Sequence, residues 1–221
     1  MLIRTRLGIA ALAAGACIGA ADASVIGSLS TATGGVIGGG NYSATAGGFA
    51  IHWNITQNMD TTWTYIYSFT NAAGQPRTGP GVSHIVLELS ENFTPADLLS
   101  VGSGIQTTTF GTFGPHPSNP GFPTAQTLSG VKFDVNAATI SFNTTRAPMW
   151  GSFYTKGGSS SYAYNADING PVVNRQQYWT PAVDASGSPL DMILVPDTLI
   201  PSPGPLALAG LAGLVATRRR R

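Results

Sequence analysis

Cysteine is all but missing from this 221-residue chain: Cys17 is the only one. A single thiol excludes a disulfide-stapled scaffold and a cysteine-ligated metal. Charge is sparse too, with charged residues at 10% of the sequence. Glutamate occurs twice, as Glu88 and Glu91, so a glycosidase carboxylate pair would have to be built from aspartates. The three histidines, His52, His84 and His116, show neither H-x-H nor H-E-x-x-H spacing for a metal. Basic residues are unevenly placed. Arg4, Arg6 and Arg218 to Arg221 lie at the two ends, and residues 24–199 keep Arg77, Lys132, Arg146, Lys156 and Arg175 against nine acids, a net of −4. A body of that charge offers no basic patch, and no nucleic-acid partner is expected.

The two ends read differently from the body. Met1 to Leu7 carries Arg4 and Arg6, "GIAALAAGACIGA" at 8–20 is apolar, and Ala21-Asp22-Ala23 precedes Ser24 in the small-x-small pattern of a signal peptidase site. Residues 1–23 are expected to be a cleaved signal peptide with Ser24 as the mature N-terminus. The rival is a lipoprotein acylated on Cys17, against which Ala14 stands where leucine is normal. At the other end, "PSPGPLALAGLAGLVATRRRR" joins three prolines to an apolar run and four arginines. As a helix, 206–217 would reach about 18 Å, short of a hydrocarbon core of about 30 Å. Arg218, Arg219, Arg220 and Arg221 would hold that end at the cytoplasmic face.

The layout of Pro201-Ser202-Pro203, a short apolar helix and a terminal arginine cluster resembles a PEP-CTERM sorting signal, whose usual motif has glutamate between the prolines. The resemblance implies an exported bacterial protein, processed by an exosortase at the inner membrane and associated with extracellular polysaccharide. An ordinary C-terminal membrane anchor is the alternative for 200–221. Two inner segments, "SHIVLELSENF" at 83–93 and "RAPMWGSFYTKGG" at 146–158, also resemble stretches that recur in the exported domains of such proteins.

Between the ends the hydrophobic period is two. Phe49, Ile51, Trp53 and Ile55 share one face of a run; so do Trp63, Tyr65, Tyr67 and Phe69. Ile85, Leu87 and Leu89 repeat the pattern, as do Val131, Phe133 and Val135, and Ile140 with Phe142. Such alternation marks strands with one buried face. Gly-, Pro- and Asn-rich punctuation, as in "NAAGQPRTGPG" (71–81) and "GPHPSNPGFP" (114–123), separates them. Only "TPADLLS" at 94–100 suggests a helical turn, with Thr94 as its N-cap. Residues 24–199 are therefore expected to form one all-β domain, an antiparallel two-sheet sandwich or jelly roll. Its core candidates are Trp53, Trp63, Phe133, Phe142 and Trp150, and "GGVIGGG" (34–40) reads as a flexible lead-in or a loose edge strand.

No catalytic constellation emerges. His84 and Glu88 share a strand face but lie about 13 Å apart at ~3.3 Å per residue. Asp134, Asp167 and Asp184 read as turn- or edge-like. "ADING" (166–170) and "DASGSPLD" (184–191) could offer oxygens to calcium, although Asp-Gly turns need no ion. The Asn-x-Ser/Thr triplets at Asn41, Asn54, Asn92 and Asn143 are expected by chance in so Asn- and Thr-rich a chain. Aromatics flanked by polar residues, namely Tyr162, Tyr164, Tyr178 and Trp179, are the candidate glycan contacts. The expectation is an exported, non-enzymatic surface or matrix protein without a cofactor. A secreted carbohydrate-binding module is the alternative, and a secreted hydrolase stands behind both.

Overall fold

The computed structural model describes residues 24–77 and 81–197. The signal-peptide and cleavage residues up to Ala23, the sorting residues Pro201 to Pro203, the apolar stretch 206–217 and Arg218 to Arg221 lie outside them. Among the described residues no helix is long and apolar enough to cross a membrane.

The first sheet has five strands. β1 (Ser24–Ser30) forms one edge. β3 (Ala50–Gln57) and β4 (Trp63–Thr70) follow, then β9 (Thr139–Thr144) and β6 (Leu98–Val101). The second sheet has six, in the order β2 (Val36–Gly39), β12 (Tyr162–Asn165), β11 (Phe153–Lys156), β5 (His84–Glu88), β8 (Leu128–Val135) and β7 (Ile105–Phe113). A separate ribbon pairs β10 (Pro148–Gly151) with β13 (Ile193–Pro196). The pairings are antiparallel throughout. This is the all-β, two-sheet arrangement the alternation predicts.

The core lies between the two large sheets and is rich in aromatics. Every inward residue of β3 and β4 named above is buried. Phe142 of β9 stacks on Tyr65 at 5.2 Å between ring centroids and meets Phe133 of β8 at 5.0 Å, joining one sheet to the other. Two phenols at the centre keep their hydroxyls paired: Tyr67 donates to the Leu194 carbonyl at 2.7 Å and Tyr65 to that of Arg146 at 3.1 Å. Burial pushes both pKa values well up, so each ring stays neutral and donates.

The second sheet is covered on its outer face as well. Phe122, from the segment that crosses that face, meets the Tyr154 ring at 4.8 Å, and the Tyr154 hydroxyl donates to Pro120 O at 2.8 Å. Val86 and Leu128 complete this smaller cluster. His84 and Val86, on the face of β5 away from the main core, are therefore buried too. The single-face expectation fails for this strand because a loop supplies a second layer.

Two expectations are corrected here. Trp150 is only half-buried; it sits at the core's margin, between the main cluster and a small one of Val172, Ala182 and Met192. Asp134 is not in a turn or at an edge but inside β8, between β5 and β7, opposite His84. Its carboxylate takes the Thr107 hydroxyl and the Lys132 ammonium, the latter at 3.1 Å. The helical turn at 94–100 is a 3-10 turn over Pro95–Asp97, closed by a capping box between Thr94 and Asp97. The Gly-rich 34–40 stretch supplies the edge strand β2.

Candidate binding cleft

Aromatic side chains far apart in the sequence converge on the open flank beside β1. In the antiparallel register Gly27 of β1 stands opposite Trp53 of β3. Gly27 leaves room for the indole: a Cβ at this position would lie 2.2 Å from Trp53 Cζ2. Trp150 stands edge-to-face on Trp53, with centroids 6.3 Å apart and planes at 85°. Its own Nε1–H donates to Thr180 O at 2.8 Å, fixing the ring to the neighbouring loop.

That loop carries Tyr178 and Trp179. Tyr178 stands edge-on to Trp63 at 5.7 Å, and Trp179 in turn stands edge-on to Tyr178 at 5.1 Å. Trp179 is thus held by a ring contact while remaining 69% exposed. Ile26, on β1, is 74% exposed. Together these elements bound a cleft of about 400 Å³, within the size range of small-molecule sites. Among the described residues lining it, none is charged.

One polar group in the cleft wall is unsatisfied. Trp53 is 5% exposed, and its Nε1–H is buried with no hydrogen-bond partner. A buried donor left unpaired costs about 1–3 kcal/mol, and such exceptions in a folded protein call for an explanation.

The loop is not loose. The Asn174 amide donates to Pro181 O at 2.6 Å and accepts from Val183 N at 2.9 Å. Arg175 bonds Glu88 Oε1 at 2.8 Å, while the other oxygen of Glu88 accepts from Ser152 N at 2.7 Å. Glu88 therefore ties this loop to β5 and to the join between β10 and β11.

The remaining candidates fall elsewhere. Tyr162 and Tyr164 are half-buried on the outer face of the second sheet, stacked on each other at 6.3 Å. The Tyr162 ring lies against the backbone of Gly39 and Gly121, where a Cβ would come within 2.3 and 2.1 Å of it. Of the four candidate glycan contacts, the cleft unites Tyr178 and Trp179 and leaves these two apart.

The histidines stay separate. The His52 ring bonds the Thr70 hydroxyl, His116 bonds Ser118, and His84 is buried opposite Asp134. Burial, with Lys132 and Lys156 nearby, pushes the pKa of His84 down to about 4, which keeps its imidazole neutral.

The calcium candidates partly converge. Asp167 Oδ2 accepts from Asp191 N at 2.7 Å, and burial together with Asp167 raises the pKa of Asp191. Asp184 satisfies itself locally, accepting from Ser186 and Ser188 backbone amides at 2.8 and 2.9 Å. Among the described residues no group of three or more potential metal ligands forms.

A second concavity, of about 310 Å³, contains Tyr42 beneath the Arg77 guanidinium, 4.7 Å from the ring centroid. Its Asn71 and Gln75 side chains hydrogen-bond each other within a turn. Trp53, read from the sequence as core, is core and also lines the cleft beside β1; Trp150, read the same way, lines it from the core's margin. The glycine opposite Trp53 was the available sign.

Comparison with protein-family models, with curated proteins and with solved structures finds no match to this chain.

Proposed function

We propose that this chain is an exported, non-enzymatic β-sandwich protein, sorted by a PEP-CTERM-like tail to the cell surface or extracellular matrix and associated with exopolysaccharide. The observation that carries the proposal is the pairing of two end patterns around a cysteine-free sandwich. Arg4, Arg6 and the apolar 8–20 run precede Ala21-Asp22-Ala23, and Pro201-Ser202-Pro203 precedes an apolar stretch and Arg218 to Arg221. The processing partner would be an exosortase-like enzyme, with membrane contact only in transit and no cofactor. Intact-mass measurement on native protein tests this: the mature form should begin at Ser24 and lack Arg221. A lipidated Cys17, or surface protein still ending in Arg221, would refute it, and the latter would favour a plain membrane anchor.

The second reading, a carbohydrate-binding module in the same location, is favoured by one observation, the exposed Trp179 beside a cleft whose described lining residues carry no charge.

A further inference from the structure

We infer that the cleft bounded by Trp53, Trp150, Tyr178 and Trp179 binds a neutral pyranose ring of a polysaccharide. The inference deepens the proposed association with exopolysaccharide and rests on the extracytoplasmic location in that proposal.

Three features of the cleft select this chemistry. First, Trp179 presents an indole that is 69% exposed yet fixed edge-on to Tyr178, itself edge-on to the buried Trp63. A rigid aromatic face loses little conformational freedom on binding and suits the C–H face of a sugar ring. Second, the wall holds an orphaned donor, Trp53 Nε1–H, in a side chain only 5% exposed. The donor lies beneath the Cβ-free backbone of Gly27, and a sugar hydroxyl that reaches it past this residue is the acceptor that it lacks, whereas a hydrocarbon chain would leave it unsatisfied. Third, the described residues lining the cleft carry no charge, and residues 24–199 have a net charge of −4. A uronate or sulfated chain would find no cation there and would meet a repelling field, so the sugar is neutral.

The division of labour follows from position. Trp179 supplies the stacking face at the mouth, and Trp53 supplies a hydrogen bond from the wall. Trp150 positions Trp53; its own N–H is already given to Thr180 O.

Affinity electrophoresis of the protein produced from all 221 residues and recovered from expressing cells tests this. Separate gels contain laminarin or pullulan, both neutral glucans, or alginate, a polyuronate. The expected result is retardation by at least one neutral glucan and none by alginate. Trp179→Ala should weaken the glucan interaction about tenfold or more, as loss of an interface anchor does, with thermal melting unchanged because the ring is exposed. Trp53→Phe keeps an aromatic ring in the core, though a smaller one, and removes the N–H, so it should weaken binding while the protein still melts cooperatively.

Retardation by alginate alone, or by none of the three, overturns the inference. So does glucan binding that Trp179→Ala leaves intact. A concentration-dependent dimer in sedimentation that Trp179→Ala abolishes overturns it as well, by making the cleft an interface between copies. Failure of the glucan arm in protein that starts at Ser24 and lacks Arg221 would remove the ligand and not the sorting proposal. Glucan binding by protein that retains Arg221 would do the reverse.

Discussion

His84 makes stability depend on pH in a defined window. His84 is 7% exposed, and burial, reinforced by Lys132 of β8 and Lys156 of β11, depresses its pKa from 6.5 to about 4. Asp134, opposite on β8, and the Asn119 side chain act in the other direction without overcoming burial. Between pH 6.5 and about 4 the unfolded chain binds a proton on this residue and the native protein does not. Stability therefore falls as pH falls through that interval, and is fully present only above 6.5. One pH unit of separation is worth about 1.4 kcal/mol, so the whole step is on the order of 3 kcal/mol, a large share of the ~5–15 kcal/mol usual for a domain. Asp191 and Asp197, whose carboxyls burial raises, oppose the trend as they take up protons. Urea unfolding at pH 7.5, 6.0 and 4.5 should show a falling midpoint in the parent and a much flatter one in His84→Gln, whatever the variant's absolute stability. Parallel pH profiles for the two proteins would refute the argument.

Trp53→Ala should cost about 3–5 kcal/mol, as truncation of a buried ring with a residual cavity does; Trp150→Ala, at the core's margin, should cost clearly less in the same denaturant titration, and equal losses would contradict the burial difference. Gly130 and Gly111 face each other across β8 and β7, yet a Cβ on Gly130 would meet Leu87 O at 1.9 Å whereas one on Gly111 has nothing nearer than Phe113 Cζ at 4.0 Å. Gly130→Ala is accordingly expected to lose about 1–3 kcal/mol and Gly111→Ala to stay within about 0.5 kcal/mol, and thermal melts showing the opposite order would be decisive against it. Glu88→Ala removes the carboxylate paired with Arg175 and leaves Ser152 N–H without its acceptor; a loss of about 1–3 kcal/mol and faster hydrogen exchange at residues 174–183 are expected, and unchanged exchange there would disprove the tether.

The main sandwich was legible because its strands bury one face and show it. Phe49 to Ile55 and Trp63 to Phe69 alternate cleanly, and each named inward residue is buried. β5 was legible on one face only. Its "HIVLE" run is apolar at adjacent positions, which the single-face reading passed over, and the second face depends on Phe122 arriving from 36 residues beyond Val86. Trp150 read as core because a tryptophan between Met149 and Gly151 carries no mark of its depth; the β10–β13 ribbon sets that depth. Asp134 read as a turn residue because local propensity disfavours aspartate in strands. Thr107 and Lys132 on the outer face give it partners there. The cleft was half legible. Tyr178 and Trp179 stood out by their polar neighbours, but a cleft built from β1, β3, β10 and one loop requires the register that places Gly27 opposite Trp53.

A sandwich without a disulfide must hold its long loops by other means, and the way this one does so bears on the cleft. The side chains that pin loops to the sheets are mostly neutral amides and ring N–H or O–H groups bonded to backbone. Asn165, fully buried, accepts from Phe153 N at 2.9 Å and donates to Asp191 O at 3.0 Å. Asn169 donates to Thr127 O at 2.8 Å, Tyr154 to Pro120 O, and Trp150 to Thr180 O. Each bond contributes on the order of 1 kcal/mol, and those to Asp191, Thr127, Pro120 and Thr180 also fix segments outside the named strands. The loop bearing Tyr178 and Trp179 gains most, since Asn174, Arg175 and Trp150 fasten it at separate points. Trp179 consequently needs no burial to be held in place. An exposed indole on an anchored loop keeps its orientation in water, which is the condition for stacking on a ligand without a large ordering cost.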